Sequence, residues 1–201
     1  MIRDDEAIKA LGLMRTTRDR FPTESSIAIE TLWLACQAKD VTQHDADTAT
    51  GALRNGAFRY ATVNTLAQIQ AEVEAKMCPN ALNHDSFRLL AGSILANPAF
   101  SANPVAVGIT HYQLGILEFR QGNLDRALEE FGFVERVDPD PDLFLLEANL
   151  LSEAHRYDEA LAALDRGEKI NWPKVRSWAS GINKKFAEMR AEIVKRRDLA
   201  T

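Results

Sequence analysis

Residues 108–141 read GITHYQLGILEFRQGNLDRALEEFGFVERVDPDP, and this stretch decides the fold. Two amphipathic helices of about a dozen residues are expected on either side of Gln121-Gly122-Asn123. Gly115 and Ala127 are small where two helices must cross closely. Phe131 is large where the gap beside them has to be filled. Gly122 supplies the permissive backbone of the turn, and Pro139 cannot continue a helix.

A second copy follows 33 residues further on. Ala148 falls where Gly115 stood, Tyr157 matches Leu124, Ala160 matches Ala127 and Leu164 matches Phe131; Trp172-Pro173 closes the unit as Asp138-Pro139 closed the first. This order of residue types resembles the tetratricopeptide repeat, a helix–turn–helix unit of about 34 residues that stacks into a solenoid. The resemblance covers residues 108–174, about a third of the chain. Three departures stand out. Glu118 occupies a position that is usually aromatic in the family, Val134 replaces a usual Ala, and the second copy carries His155-Arg156 where the first has its turn glycine.

The net charge of −5 argues against non-specific nucleic-acid binding, which is driven by phosphate neutralisation. Only 10 glycines and 7 prolines interrupt the chain, and apolar alternation of the strand type is scarce, so an all-α chain is expected. No run of 18 apolar residues is present, so no membrane span is expected. The opening MIRDDEAIK has neither an apolar core segment nor a cleavage motif, so no signal peptide is expected in this chain.

Taken in order, residues 4–18 read as a short helix with Ile8, Leu11 and Met14 on one side, broken at Phe21-Pro22. Thr23 is expected to cap the next helix, on which Ile29, Leu32, Trp33 and Cys36 share a face. Residues 42–56 form a polar helix that stops at Asn55-Gly56. Thr62 is expected to cap a helix carrying Val63, Leu66, Ile69 and Val73, which ends at Cys78-Pro79. Asn83 starts a helix with Phe87, Leu90 and Ile94 that ends at Asn97-Pro98. Residues 1–100 are therefore expected to be degenerate helical hairpins or a helical cap stacked on the recognised pair. From Pro173 one long helix is expected, with Val175, Trp178, Ile182, Phe186, Met189 and Ile193 along one side; residues 174–198 would cap the last repeat. The fold class is an all-α, right-handed solenoid of helical hairpins with 108–141 and 141–174 as repeats.

The fragments TLWLACQA, MCPNALNHDSF, LANPAF and HYQLGILEFRQGNLDRAL are also similar to the soluble tail of bacterial membrane proteins of the O-antigen polymerase and ligase type. That resemblance implies a periplasmic helical-repeat region attached to a membrane-embedded catalytic part, and no catalytic residue carries over to this chain. It bears on Cys36 and Cys78. Reduced and buried, they are ordinary small hydrophobes. In an oxidising compartment they could form a bridge worth about 3–4 kcal/mol. Two cysteines alone do not make a metal site.

Catalytic and cofactor signatures are absent. His44, His84, His111 and His155 form no HExxH and no zinc spacing with a cysteine, and there is no phosphate loop or nucleophile elbow. His44-Asp45-Ala46-Asp47 reads as a solvated helix start, where Asp favours the macrodipole. His111 reads as a packing histidine. Lys174, Arg176, Lys184, Lys185, Arg190, Lys195, Arg196 and Arg197 make the final helix basic, which suits its C-terminal end. No metal, no cofactor and no enzymatic activity are expected.

What the repeat resemblance implies is a groove lined by the inner helices. By alignment its side chains are Tyr112, Gln113, Ile116 and Arg120 in the first repeat and Leu145, Asn149, Ser152 and Glu153 in the second. Tyr112 and Leu145 stand where one subfamily places Lys or Asn to clamp a C-terminal carboxylate, so that clamp is not expected. A mixed apolar and polar groove fits an extended or helical peptide; alternatively the N-terminal helices cover it. The expected role is a non-catalytic scaffold holding a protein or peptide segment. The alternative is an extracytoplasmic accessory domain of a membrane-bound surface-polysaccharide polymerase or glycan ligase. The compartment is cytoplasmic on the first reading and periplasmic on the second.

Overall fold

A computed structural model describes residues 4–57, 59–74, 83–170 and 179–200. Its described residues are all-helical. Helices α1 (Asp4–Arg20), α2 (Ser25–Gln37), α3 (Gln43–Asn55), α4 (Tyr60–Glu74), α5 (His84–Ala96), α6 (Pro98–Ser101), α7 (Pro104–Arg120) and α8 (Leu124–Val137) precede α9 (Pro141–Glu153), α10 (Tyr157–Lys169) and α11 (Ala179–Ala200). The chain divides into two compact units, residues 1–138 and 139–201.

In the first unit α2, α4 and α7 pack in succession as one row. Helices α3 and α5 pack as a second row, and the pairs α2–α3, α4–α5 and α7–α8 join as hairpins. The shared core runs from Ala28, Ile29 and Leu32 through Leu66 and Phe87 to Leu117. Gly115 earns its place on α7: a Cβ there would stand 2.7 Å from Phe131 Cδ1 and 2.9 Å from Cζ. The Phe131 ring fills that gap and is itself fully buried. In the second unit α9 and α10 pair in the same way, with Ala148 and Leu164 fully buried, and α11 packs on both. Ile182, Phe186 and Ile193 of α11 are buried, whereas Val175 and Trp178 lie outside the described residues, as do Cys78-Pro79 and Trp172-Pro173.

One turn geometry closes three helices. Lys39 (φ 55°), Gly122 (φ 81°) and His155 (φ 60°) are left-handed. Each donates its N–H three residues back, to Cys36, Phe119 and Ser152 at 3.0, 2.8 and 3.1 Å. The following residues, Asp40, Asn123 and Arg156, donate five residues back to Ala35, Glu118 and Leu151 at 2.9, 2.9 and 2.8 Å. This paired pattern satisfies the last carbonyls of a helix that ends in a left-handed residue. The α2–α3 turn thus matches the α7–α8 and α9–α10 turns atom for atom, although nothing in its residue types announces it.

Four local expectations are corrected. On α1, Leu11 is buried but Ile8 is exposed; Ala7 and Arg18 complete the inner face instead. Glu24, not Thr23, stands at the start of α2, without a side-chain cap. Thr62 lies inside α4, buried, with its hydroxyl 3.2 Å from that of Ser25. Finally α7 begins at Pro104, capped by Asn103, four residues before the repeat's expected start.

Candidate functional site

The side chains that could receive a partner on α7 follow from what its other faces bury. Thr110, Leu114, Leu117 and Glu118 are buried on the side turned to α4 and α5, while Gly108 and Gly115 meet α8. Gln113, Ile116 and Arg120 fall on the remaining strip at helical spacing, the first two half-buried and Arg120 exposed. Tyr112 sits at its margin and leans on Phe131, with ring centroids 5.9 Å apart and planes inclined by 45°.

Leu145, Asn149, Ser152 and Glu153 belong to the second unit. Leu145 and Asn149 are half-buried, and Asn149 donates to Glu153 Oε1 at 2.9 Å. Ser152 is 3% exposed, and its hydroxyl has no hydrogen-bond partner among the described residues. It borders a cleft of about 370 Å³ together with Glu153, His155, Tyr157 and Arg196.

Buried charge was the feature least visible in advance. Asp45 is 1% exposed, contrary to the expected solvated helix start. Its Oδ1 accepts from Arg15 Nε at 3.1 Å and Arg18 Nη1 at 2.5 Å; its Oδ2 accepts from Arg15 Nη2 at 2.6 Å and from the N–H and hydroxyl of Thr42 at 3.0 and 2.8 Å. Burial alone would raise its pKa, but those donors outweigh the desolvation and hold the carboxyl far below the ordinary range. Arg15 also grips Asp40 and its carbonyl in the α2–α3 turn. The cluster therefore fastens α1 to the α2–α3 turn and to the start of α3.

Glu118 is a second buried carboxylate held by cationic and amide partners. It is 6% exposed and accepts from Arg88 Nε of α5 and from Asn123 Nδ2 of the turn, both at 2.8 Å. Burial opposes ionisation, yet Arg88, Asn123 and the charge of Arg126 lower its pKa. In the second unit Glu147 is likewise buried and accepts from Arg166 Nη2 at 2.5 Å. His111 stacks on Phe133 at 4.4 Å and bonds Glu130 through Nδ1 at 2.6 Å.

These pairs tie neighbouring helices together. Among the described residues, no three His, Cys, Asp or Glu side chains converge as metal ligands would. Cys36 is fully buried on α2 and is held in a disulfide; Cys78 lies outside the described residues. No described helix is long and apolar enough to cross a membrane.

What the described residues define is an all-helical protein with helical hairpins in each unit, a half-exposed strip on α7 and a shallow cleft beside α9. The chain matches no family model, no curated protein and no solved structure.

Proposed function

We propose that the chain is a right-handed, tetratricopeptide-like solenoid that acts as a non-catalytic module holding a protein or peptide segment. The recurring left-handed turn carries the reading. Three hairpins close on the same pair of backbone hydrogen bonds, and one of them has a small residue, Gly115, packed against a large one, Phe131. Such units bury their apolar faces only by stacking and leave one helix row to face a ligand. On α7 that row is Gln113, Ile116 and Arg120, an alternation of amide, alkyl and guanidinium that suits a peptide backbone with a mixed side-chain pattern. Selecting a random peptide library on the immobilised protein tests this. Peptides enriched on the wild type should be lost on the Gln113→Ala, Ile116→Ala double variant, with helical content unchanged. Equal retention on both proteins refutes the assignment.

A second reading is favoured by the sulfur chemistry. The chain has two cysteines, and Cys36 is disulfide-bonded on the core face of α2. A Cys36–Cys78 bridge fits an oxidising compartment, and with it an extracytoplasmic accessory domain of a surface-polysaccharide polymerase or ligase. Alkylation of the unfolded, unreduced protein from its native cells, read by intact mass, tests it. No added label supports the reading, and two labels refute it.

A further inference from the structure

In the first unit, the face that packing leaves open carries polar groups that the fold does not use. Each of α2, α4 and α7 packs on its neighbour in the row and on α3 or α5 behind it. The hydroxyls of Ser25 and Thr62, 3.2 Å apart, mark the α2–α4 contact, and the strip of each helix turned away from α3 and α5 stays open. On α2 this strip holds Glu30 and Trp33, one turn apart and half-buried. On α4 it holds Asn64 and Gln68, both exposed, and on α7 Gln113 and Ile116, both half-buried. Asp45 and Glu118 are saturated by donors from neighbouring helices. By contrast, Glu30 and the amides of Asn64, Gln68 and Gln113 take no hydrogen bond or ion pair among the described residues.

The unused groups fit an extended peptide with one basic residue. A side-chain amide offers both a donor and an acceptor, as a peptide unit does, and Asn64, Gln68 and Gln113 repeat that offer from α4 to α7. Glu30 beside Trp33 supplies the two things an ammonium or guanidinium pairs with, a carboxylate and an aromatic surface. The net charge of −5 favours the approach of a cationic segment. Packed helices lie about 8–10 Å apart, so the path from α2 to α7 is about 16–20 Å, the reach of about five or six extended residues. We propose, resting on the reading of α7 as a ligand-facing row, that the bound segment continues across α4 to α2. There it places a Lys or Arg side chain against Glu30 and Trp33, about five residues from an aliphatic side chain seated on Ile116. The amides of Asn64, Gln68 and Gln113 hold the backbone between these two anchors.

Selection of random displayed peptides on the immobilised full chain tests this, with wild type, Glu30→Gln and Glu30→Lys compared at equal helical content. The wild type should enrich Lys or Arg about five positions from Leu, Ile or Val. Glu30→Gln should weaken a synthesised enriched peptide roughly tenfold, and Glu30→Lys should move the preference to Asp or Glu. The double variant Asn64→Ala, Gln68→Ala should weaken all enriched peptides alike without changing the residues preferred, as loss of backbone contacts does. Peptides enriched without a basic residue, or a basic preference that survives Glu30→Lys, overturn the site on α2 and leave the reading of α7 standing. No enriched peptide on the wild type overturns both. Self-association of the chain that Glu30→Lys abolishes, with no peptide enriched, assigns the face to a second copy instead.

Discussion

Substituting one methyl group at Gly115 tests the packing logic of the hairpins most directly. Alanine in a helix interior is favoured over glycine by about 1 kcal/mol. At Gly92, on the exposed side of α5 with nothing within 4 Å of a new Cβ, that gain should be realised, and Gly92→Ala should stabilise by about 0.5–1 kcal/mol. At Gly115 the same methyl meets the Phe131 ring at under 3 Å, and that ring is fully buried. Overpacking of this kind costs about 1–3 kcal/mol, and the closeness of three ring atoms places it in the upper half. Net of the propensity gain, Gly115→Ala should destabilise by about 1–2 kcal/mol.

The second copy suggests the remedy, since Ala148 and Leu164 stand where Gly115 and Phe131 stand in the first. The double variant Gly115→Ala, Phe131→Leu should therefore be more stable than the sum of its parts by about 1 kcal/mol or more. Urea unfolding followed by helical ellipticity measures all four proteins, and both glycines lie in the first unit, so the same transition reports them. Equal effects of the two glycine substitutions, or a coupling of zero, would refute the reasoning.

Three further outcomes are expected. Asp45→Asn should cost about 2–3 kcal/mol, because Arg18, itself 1% exposed, loses its buried counter-charge and keeps only Asp19 at 2.9 Å; thermal unfolding reads this, and a loss below 1 kcal/mol would count against it. Asp45 and Glu118 both have lowered folded-state pKa values, so their stabilisation is present in full above about pH 4 and lost as pH falls from there through the folded values. Stability measured against pH should decline on that acid limb, less steeply in Asp45→Asn than in the wild type. Asn97→Ala should cost about 2–3 kcal/mol: the side chain, 4% exposed, donates to the carbonyls of Leu53 and Gly56 at 2.7 and 2.9 Å and caps Ala99, and denaturant midpoints should show it.

Helix identity, the crossing of Gly115 with Phe131 and the turn at Gly122 could be read from residue order, because each depends on neighbours within about one hairpin. Periodicity also placed Val63, Leu66 and Ile69, and Phe87, Leu90 and Ile94, on core faces, where they are buried. Of the candidate site, Gln113, Ile116 and Arg120 were named by alignment to the repeat; in the structure they lie on one strip of α7. Periodicity was not enough for α1, where Ile8 continues an apolar pattern but lies outside the contact with α2. Short-range caps failed at Thr23 and Thr62, since the start of a helix depends on where the preceding chain enters.

Tertiary structure alone decided the fate of the charges. Asp45 meets Arg15 and Arg18 from 30 and 27 residues away, and Glu118 meets Arg88 from 30. In sequence each looks like a solvated acid. Only the packing of a third helix brings the guanidinium close, removes the water and makes burial of the carboxylate affordable. The same holds for the cleft at Ser152: His155 and Tyr157 are two residues apart in sequence, but Arg196 and Leu199 reach them only through the docking of α11. Local order determines which residues can form a helix and where it can turn; which polar groups lose their water depends on the long-range contacts that exclude it.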